Sequence, residues 1–258
     1  MIETRREGPA VWLTIARPEA SNALSRGVVD GLRAQLKQLA SDASVCAVVL
    51  TGAGDKVFCG GADLKERRGM TPAETRNFLD DLNALMNELE ALPLPTIAAI
   101  AGGAFGGGLE LALCCDFRLA SPGIQLGLTE VRLGIIPGAG GTQRLPRLIG
   151  LARAKQVILT GQRFSAERAA ALGLCDLCAA PGPAALADAV AALVSELSQA
   201  APISVRQAKE ALQGGLSLPL AQGLEHERRC YEVTLLTEDR QEALRAFAEK
   251  RPPVFSGR

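Results

Sequence analysis

Residues 102–116 read GGAFGGGLELALCCD, five glycines followed by Leu109-Glu110-Leu111 and an apolar run that closes on Asp116. Ordering glycine costs chain entropy, and burying an unpaired carboxylate costs more, so the combination calls for a compensating role. Upstream, residues 96–101 form an apolar run that predicts a buried strand, and Leu109 onward predicts a helix. The segment therefore predicts a strand, a glycine turn and a helix start. Gly103 and Gly108 have the spacing of a phosphate loop, but Leu109-Glu110 stands where that loop needs Lys-Ser/Thr, and the glycines do not spell G-x-G-x-x-G. Glycines ahead of a helix expose backbone N–H groups and partial positive charge. With only one or two converging donors, that suits an oxyanion better than a whole phosphate.

Outward from this turn, strand and helix signals alternate. Val11 to Ile15 is β-rich, Ser25 to about Ala40 carries Leu32, Leu36 and Leu39 at helical spacing, and Val45 to Thr51 predicts a buried strand. Thr71-Pro72-Ala73-Glu74 combines a capping box with proline at the first helical position, predicting a helix to about Ala91. Of two further glycine-rich stretches, Phe58 to Leu64 could present another N–H donor, and Leu133 to Leu145 reads as a turn before a helix or as a stretch that shapes a pocket wall or supports a nearby site. From Ser165 the pattern is largely helical, and composition shifts near Ala200-Ala201-Pro202. The expected organisation is an α/β main body over 1–200 and a helical extension over 201–258.

The totals exclude several function classes. The 258 residues are 48% hydrophobic and 22% charged with zero formal net charge, so no overall field draws nucleic acid or an anionic membrane. Aromatic residues, at 3%, are too few for base-stacking platforms. The N-terminus is charged at once, with no secretory signal pattern. The uncharged run from Ala91 to Leu109 holds two prolines and five glycines, against the strongly apolar stretch that a membrane span needs. Seven scattered cysteines predict reduced thiols and a cytoplasmic protein. Cys175-Asp176-Leu177-Cys178 lacks the partner pair of a zinc or redox site and is expected to be a short buried segment. No metal site is expected.

Most glutamates here belong to solvated helix faces, but Glu110 and Glu130 have apolar or glycine neighbours. Two carboxylates in a partly dry pocket cannot both ionise freely. Such a pair suits acid and base work around one water. The lone histidine, His226, sits among charges and is expected on a helix surface. With one histidine and no G-x-S-x-G turn, a serine triad is not expected.

These residues resemble the enoyl-CoA hydratase/isomerase (crotonase) superfamily. The resemblance rests on RPEASNALS (17–25), FCGGADLKE (58–66), GGAFGGGLELALCCD (102–116), LTEVRLGIIPGAGGTQRLPRLIG (128–150) and EALRAFAEKRPP (242–253), in order along the chain. It is nearest in look to the methylglutaconyl-CoA hydratase branch. The resemblance implies a spiral of ββα units with a C-terminal helical trimerisation region, assembled as a homotrimer or homohexamer. It implies that a thioester carbonyl binds between the N–H groups of Ala62 and Gly107. Glu110 would activate water and Glu130 would deliver a proton to C2 of a trans-2-enoyl-CoA, giving a 3-hydroxyacyl-CoA. Coenzyme A would be bound near Ala23, Leu64 and Lys65, with Phe247 and Lys250 reaching in from a neighbouring subunit. CoA is then part of the substrate, and no separate cofactor is implied. The pair of glutamates favours a hydratase over a Δ3-Δ2 isomerase or another CoA-enolate reaction, and over a non-catalytic CoA- or RNA-binding protein. RNA binding through a lysine-rich first helix is not carried over, since that segment offers only Arg26, Arg33 and Lys37.

Overall fold

The computed structural model describes residues 1–178 and 180–258. Its larger sheet has the order β1-β2-β3-β5-β7-β10. These strands are β1 Ile2–Glu7, β2 Ala10–Ile15, β3 Ala47–Gly52, β5 Thr96–Ile100, β7 Phe117–Ala120 and β10 Asp176–Leu177. Only the β1–β2 pair is antiparallel. A smaller sheet orders β4 Val57–Cys59, β6 Gly103–Phe105, β8 Gln125–Gly127 and β9 Phe164–Ser165. The chain alternates between the sheets: β3 then β4, β5 then β6, β7 then β8. Each turn adds one strand to each layer, and a helix follows each pair of strands. That is a spiral of ββα units.

The alternation of side chains along each strand explains why the large sheet reads as continuous apolar runs. Val48 and Leu50 on β3 and Ala98 and Ile100 on β5 join the main core with α1 Arg26–Leu39, α3 Pro72–Glu90 and α4 Gly107–Leu113. Their neighbours Ala47, Val49, Ile97 and Ala99 face the opposite side, where Leu186, Val190 and Val194 of α8 Pro183–Ser198 cover them. Both faces of these parallel strands are buried, so neither needs polar residues. Cys175 joins the first of these cores and Cys178 the second, one on each side of β10. All seven cysteines are free thiols.

Helix starts follow their local chemistry. Ser25 caps α1 through Val28 N, and Thr71 and Glu74 form the reciprocal capping box that starts α3. The sequence reading missed β1: its side chains are mostly charged and exposed, so no burial alternation marks it, and only its ladder to β2 makes it a strand. Charged residues on such an edge also discourage pairing with another chain. The run 91–109 is divided among the loop after α3, β5, β6 and the start of α4. Among the described residues, no single helix is long and apolar enough to cross a membrane.

Beyond Pro202 the chain forms α9 Pro202–Leu216, α10 Leu220–Leu235 and α11 Glu238–Glu249. One ion pair ties this region to the large sheet. Lys209 Nζ, buried on α9, donates to Asp116 Oδ2 at 2.7 Å and to Leu94 O at 2.9 Å. The same Asp116 oxygen accepts from Thr96 N at 2.7 Å and from Thr96 Oγ1 at 2.9 Å. Lys209→Met removes the cation and leaves a largely buried carboxylate and carbonyl short of a donor. It should cost roughly 2–3 kcal/mol, measured as a lower urea midpoint at unchanged slope; an unchanged midpoint would show that the pair contributes nothing net.

His226 departs from expectation. Its side chain is only 17% exposed, with Nε2 3.1 Å from Glu210 O and 3.8 Å from Cys230 Sγ. The ring tucks against Gly214, where α9 and α10 pack. The charged neighbours in sequence point elsewhere on the helix, which is why the local composition misled.

Candidate active site

Two backbone N–H groups meet at one end of a cavity, each placed by a different part of the chain. Asn22, buried with φ of 51°, accepts from Arg17 N at 3.0 Å and donates to Ala53 O at 3.0 Å and Val57 O at 2.7 Å. This locks the 17–25 loop onto the β3–β4 connection. Leu24 then forms a parallel bridge with Ala62: Leu24 N donates to Gly61 O at 2.8 Å, and Asp63 N to Leu24 O at 3.1 Å. In a parallel bridge the central residue's own N–H points away from the partner strand. The Ala62 N–H therefore faces the other side.

The second N–H belongs to Gly107, the first residue of α4, which has no intrahelical acceptor. Neither N–H finds a hydrogen-bond acceptor among the described residues. The Ala62 nitrogen lies 3.6 Å from where a Cβ on Gly107 would sit, so the two donors are neighbours. The close approach depends on Gly108, whose Cβ would overlap the Cys59 carbonyl oxygen. Here the glycines of the opening segment bring a helix start against a strand.

Glu110 lies one turn into α4 and is 2% exposed. Its Oε1 accepts from Ala139 N at 2.9 Å and Gly141 N at 2.8 Å, leaving Oε2 free toward the cavity. Burial pushes its pKa up; the two N–H bonds and the Arg144 charge oppose that and favour the ionised form. Glu130 opens a short 3-10 turn over Glu130–Leu133 and is 8% exposed. Among the described residues its carboxylate has no hydrogen-bond partner, and it rests against Gly106, with Oε1 3.2 Å from where a Cβ there would sit. Burial, with the nearby Glu110 charge adding to it, raises the Glu130 pKa to about 7. The two carboxylates thus differ: one is anchored by two N–H groups that oppose the effect of burial, the other is unpartnered among the described residues and readily protonated.

Both glutamates and both N–H donors line a cavity of about 610 Å³. Leu79, Leu82, Ile135 and Ile136 make an apolar wall, with Arg67 and Thr75 among the polar residues. A second cavity of about 930 Å³ shares Gly60, Leu64, Thr129 and Leu133 with the first and adds Arg132 and Arg163. The Arg163 guanidinium stacks over Phe105 at 4.3 Å.

The structure groups three of the residues expected to bind CoA and separates two. Leu64 is exposed at the junction of the cavities. Ala23 and Lys65 are placed by one ion pair: Arg17 donates to Ala23 O at 3.0 Å and to Asp63 at 3.0 Å, while Asp63 Oδ1 caps the helix α2 Leu64–Arg67 at Lys65 N, 3.1 Å. Phe247 and Lys250, at the end of α11, line neither cavity of the same protomer. The sequence reading missed Asn22, Asp63 and Arg17 as site supports, and missed Ala139 and Gly141 as the donors to Glu110. The only local signal for the last two was the run Gly138-Ala139-Gly140-Gly141. Among the described residues no cluster of His, Cys, Asp and Glu is placed to hold a metal ion.

Comparison with known proteins gives one answer. The family model for enoyl-CoA hydratase/isomerase matches residues 6–258. The enoyl-CoA isomerase/hydratase fer4 of Mycosarcoma maydis is 46% identical over 95% of this chain and 92% of its own length. Methylglutaconyl-CoA hydratase 1 of Pyricularia oryzae is 42% identical over 95% of this chain and 82% of its own. A crystal structure of an enoyl-CoA hydratase from Bacillus anthracis superposes with a TM-score of 0.96 at 44% identity, over 100% of this chain and 99% of that one. With its ββα spiral, paired glutamates and full-length matches, the chain belongs to the enoyl-CoA hydratase/isomerase family of the crotonase superfamily.

Proposed function

We propose that the protein is an enoyl-CoA hydratase acting on trans-2-enoyl-CoA thioesters, and that both glutamates take part. The observation that carries this reading is the unlike pair of carboxylates beside two acceptor-less N–H groups. The thioester oxygen accepts from Ala62 and Gly107, which polarises the conjugated alkene toward C3. Glu110 Oε2 takes a proton from water as the water oxygen bonds to C3. The electron pair of the alkene shifts toward the thioester oxygen and returns as C2 takes the proton of Glu130. The product is a 3-hydroxyacyl-CoA formed by syn addition, with Glu110 protonated and Glu130 ionised until solvent resets them. The chemistry consumes no separate cofactor, since CoA is the handle of the substrate.

The same reading places the pantetheine arm in the second cavity past Leu64, toward Ala23, Lys65 and the Arg132 and Arg163 cations. Phe247 and Lys250 would come from a neighbouring copy in a homotrimer or homohexamer. The exposed apolar residues Leu212, Leu216, Leu220, Leu236 and Phe247 on α9–α11 and their connections support burial of that region. The seven free thiols fit a reducing compartment such as the cytoplasm.

The test is hydration of crotonyl-, tiglyl- and methylglutaconyl-CoA across pH. Because Glu130 must be protonated to act as the acid, kcat/KM for hydration should fall as pH rises through about 7. Glu130→Gln should abolish turnover rather than move that limb. Double-bond migration on a 3-enoyl-CoA exceeding hydration would reassign the enzyme as an isomerase.

A further inference from the structure

Glu110 is held by a loop, and that loop is itself held from outside the cavity. The two N–H groups on Glu110 Oε1 belong to the peptide units 138–139 and 140–141. A peptide unit is planar, so fixing its carbonyl fixes the direction of its N–H. Asn83 of α3 donates from Nδ2 to Gly138 O at 2.9 Å, on the first of these units. Gly140 O, on the second, accepts from Gln143 N at 2.9 Å and Arg144 N at 2.8 Å, the first turn of the helix α5 Gly141–Ile149. The intervening Ala139 O accepts from Arg144 Nη1 at 3.2 Å.

Arg144 is in turn tied to α3. Its Nε lies 3.2 Å from both Glu90 carboxylate oxygens, and its Nη2 donates to Glu90 Oε2 at 2.6 Å and to Asn87 Oδ1 at 3.0 Å. The side chain is 14% exposed and crosses Gly140 so closely that a Cβ there would overlap the guanidinium. A planar fork bound on two sides gives up little further freedom, which a lysine at this position could not match.

We propose that Asn83 and Arg144, the latter braced by Glu90, are positioning residues that aim the 138–141 amides at Glu110 and so set the orientation and basicity of its carboxylate. Neither reaches the reacting atoms. The role rests on the hydratase reading for its effect on turnover, but the clamp itself is a property of the folded chain. Other charged or titratable groups facing Glu110 are Glu130 across Gly106, Cys114 one turn along α4, and Glu90 behind Arg144. Loosening the amides or removing the guanidinium charge leaves burial less opposed, so the carboxyl should become harder to ionise.

The test compares Asn83→Leu, Arg144→Met and Glu90→Gln with the parent protein, each checked for folding by thermal unfolding. Two readouts are needed: steady-state hydration of crotonyl-CoA, and titration of the Glu110 carboxyl by 13C NMR, its signal assigned by loss in Glu110→Gln. Asn83→Leu and Arg144→Met should each lower kcat about tenfold or more with KM little changed. Both should raise the Glu110 midpoint; Glu90→Gln frees the guanidinium brace but also removes a negative charge near Glu110, so it is judged by kcat and not by the midpoint. If Arg144→Met does not fold, Asn83→Leu decides the matter. An unmoved Glu110 midpoint in folded Asn83→Leu and Arg144→Met overturns the proposal, whatever happens to rate. A parent protein inactive on every enoyl-CoA would instead sink the hydratase reading, while the NMR midpoints would still report on the clamp.

Discussion

Glu110→Gln should lower kcat for enoyl-CoA hydration by about 10²–10⁴-fold, the range spanned by a general base in a transition state, with KM little changed. The amide oxygen of glutamine can accept from Ala139 N and Gly141 N as Oε1 does now, so the side chain should stay where it is. What it loses is the ability to take a proton from water. In the proposed mechanism the thioester oxygen is held by Ala62 and Gly107, which the substitution does not touch. Stability should hold or rise, because a neutral amide is cheaper to bury than a carboxylate. Glu110→Ala makes the contrast: it strands two buried N–H groups and should cost stability as well as rate. Steady-state kinetics with a thermal melt on each variant separates the two effects. A Gln variant within a few-fold of the parent would remove Glu110 from the chemistry.

How much of this was readable before the structure depends on how local each feature is. Gly107 and Glu110 lie three residues apart at one helix start, so the GGAFGGGLELALCCD segment carries both the proposed donor and the proposed base. Glu130 was readable by contrast, as a carboxylate among apolar neighbours. Its unpartnered state was not, because only packing against Gly106 reveals it. Ala62 could be guessed as a donor but not explained. Its orientation depends on a bridge to Leu24, and Leu24 depends on Asn22 reaching Ala53 and Val57. Such long-range polar contacts leave no periodic trace in sequence.

The same distinction holds for the fold. The capping box at Thr71 and the apolar faces of α1 and α3 announce themselves within a few residues. Strand β1 exists only through its partner, and His226 shows the converse error, where charged sequence neighbours conceal a ring packed between two helices. Nothing near Arg144 in sequence points to Glu90, Asn87 or the Ala139 carbonyl.

Gly61→Ala tests the other half of the catalytic turn. Gly61 sits at φ of +94°, a conformation L side chains rarely adopt, and a Cβ there would lie 2.9 Å from Phe105 O and 3.2 Å from Gly107 N. The added methyl would therefore crowd the Gly107 N–H, besides straining the peptide that carries the Ala62 N–H. Losing one oxyanion donor typically costs about 10²–10³ in rate, and kcat should fall by that amount. Strain alone could also weaken the protein, so a matched control is needed. Gly54 has a φ of +79° with no atom within 4 Å of where its Cβ would sit, and lies away from both cavities. Gly54→Ala should lose stability of roughly 1 kcal/mol from backbone strain while keeping its kcat. If the two variants lose rate equally, the effect belongs to backbone strain and not to the donor. If only Gly61→Ala loses rate, the thioester oxygen must be stabilised at the meeting point of Ala62 and Gly107.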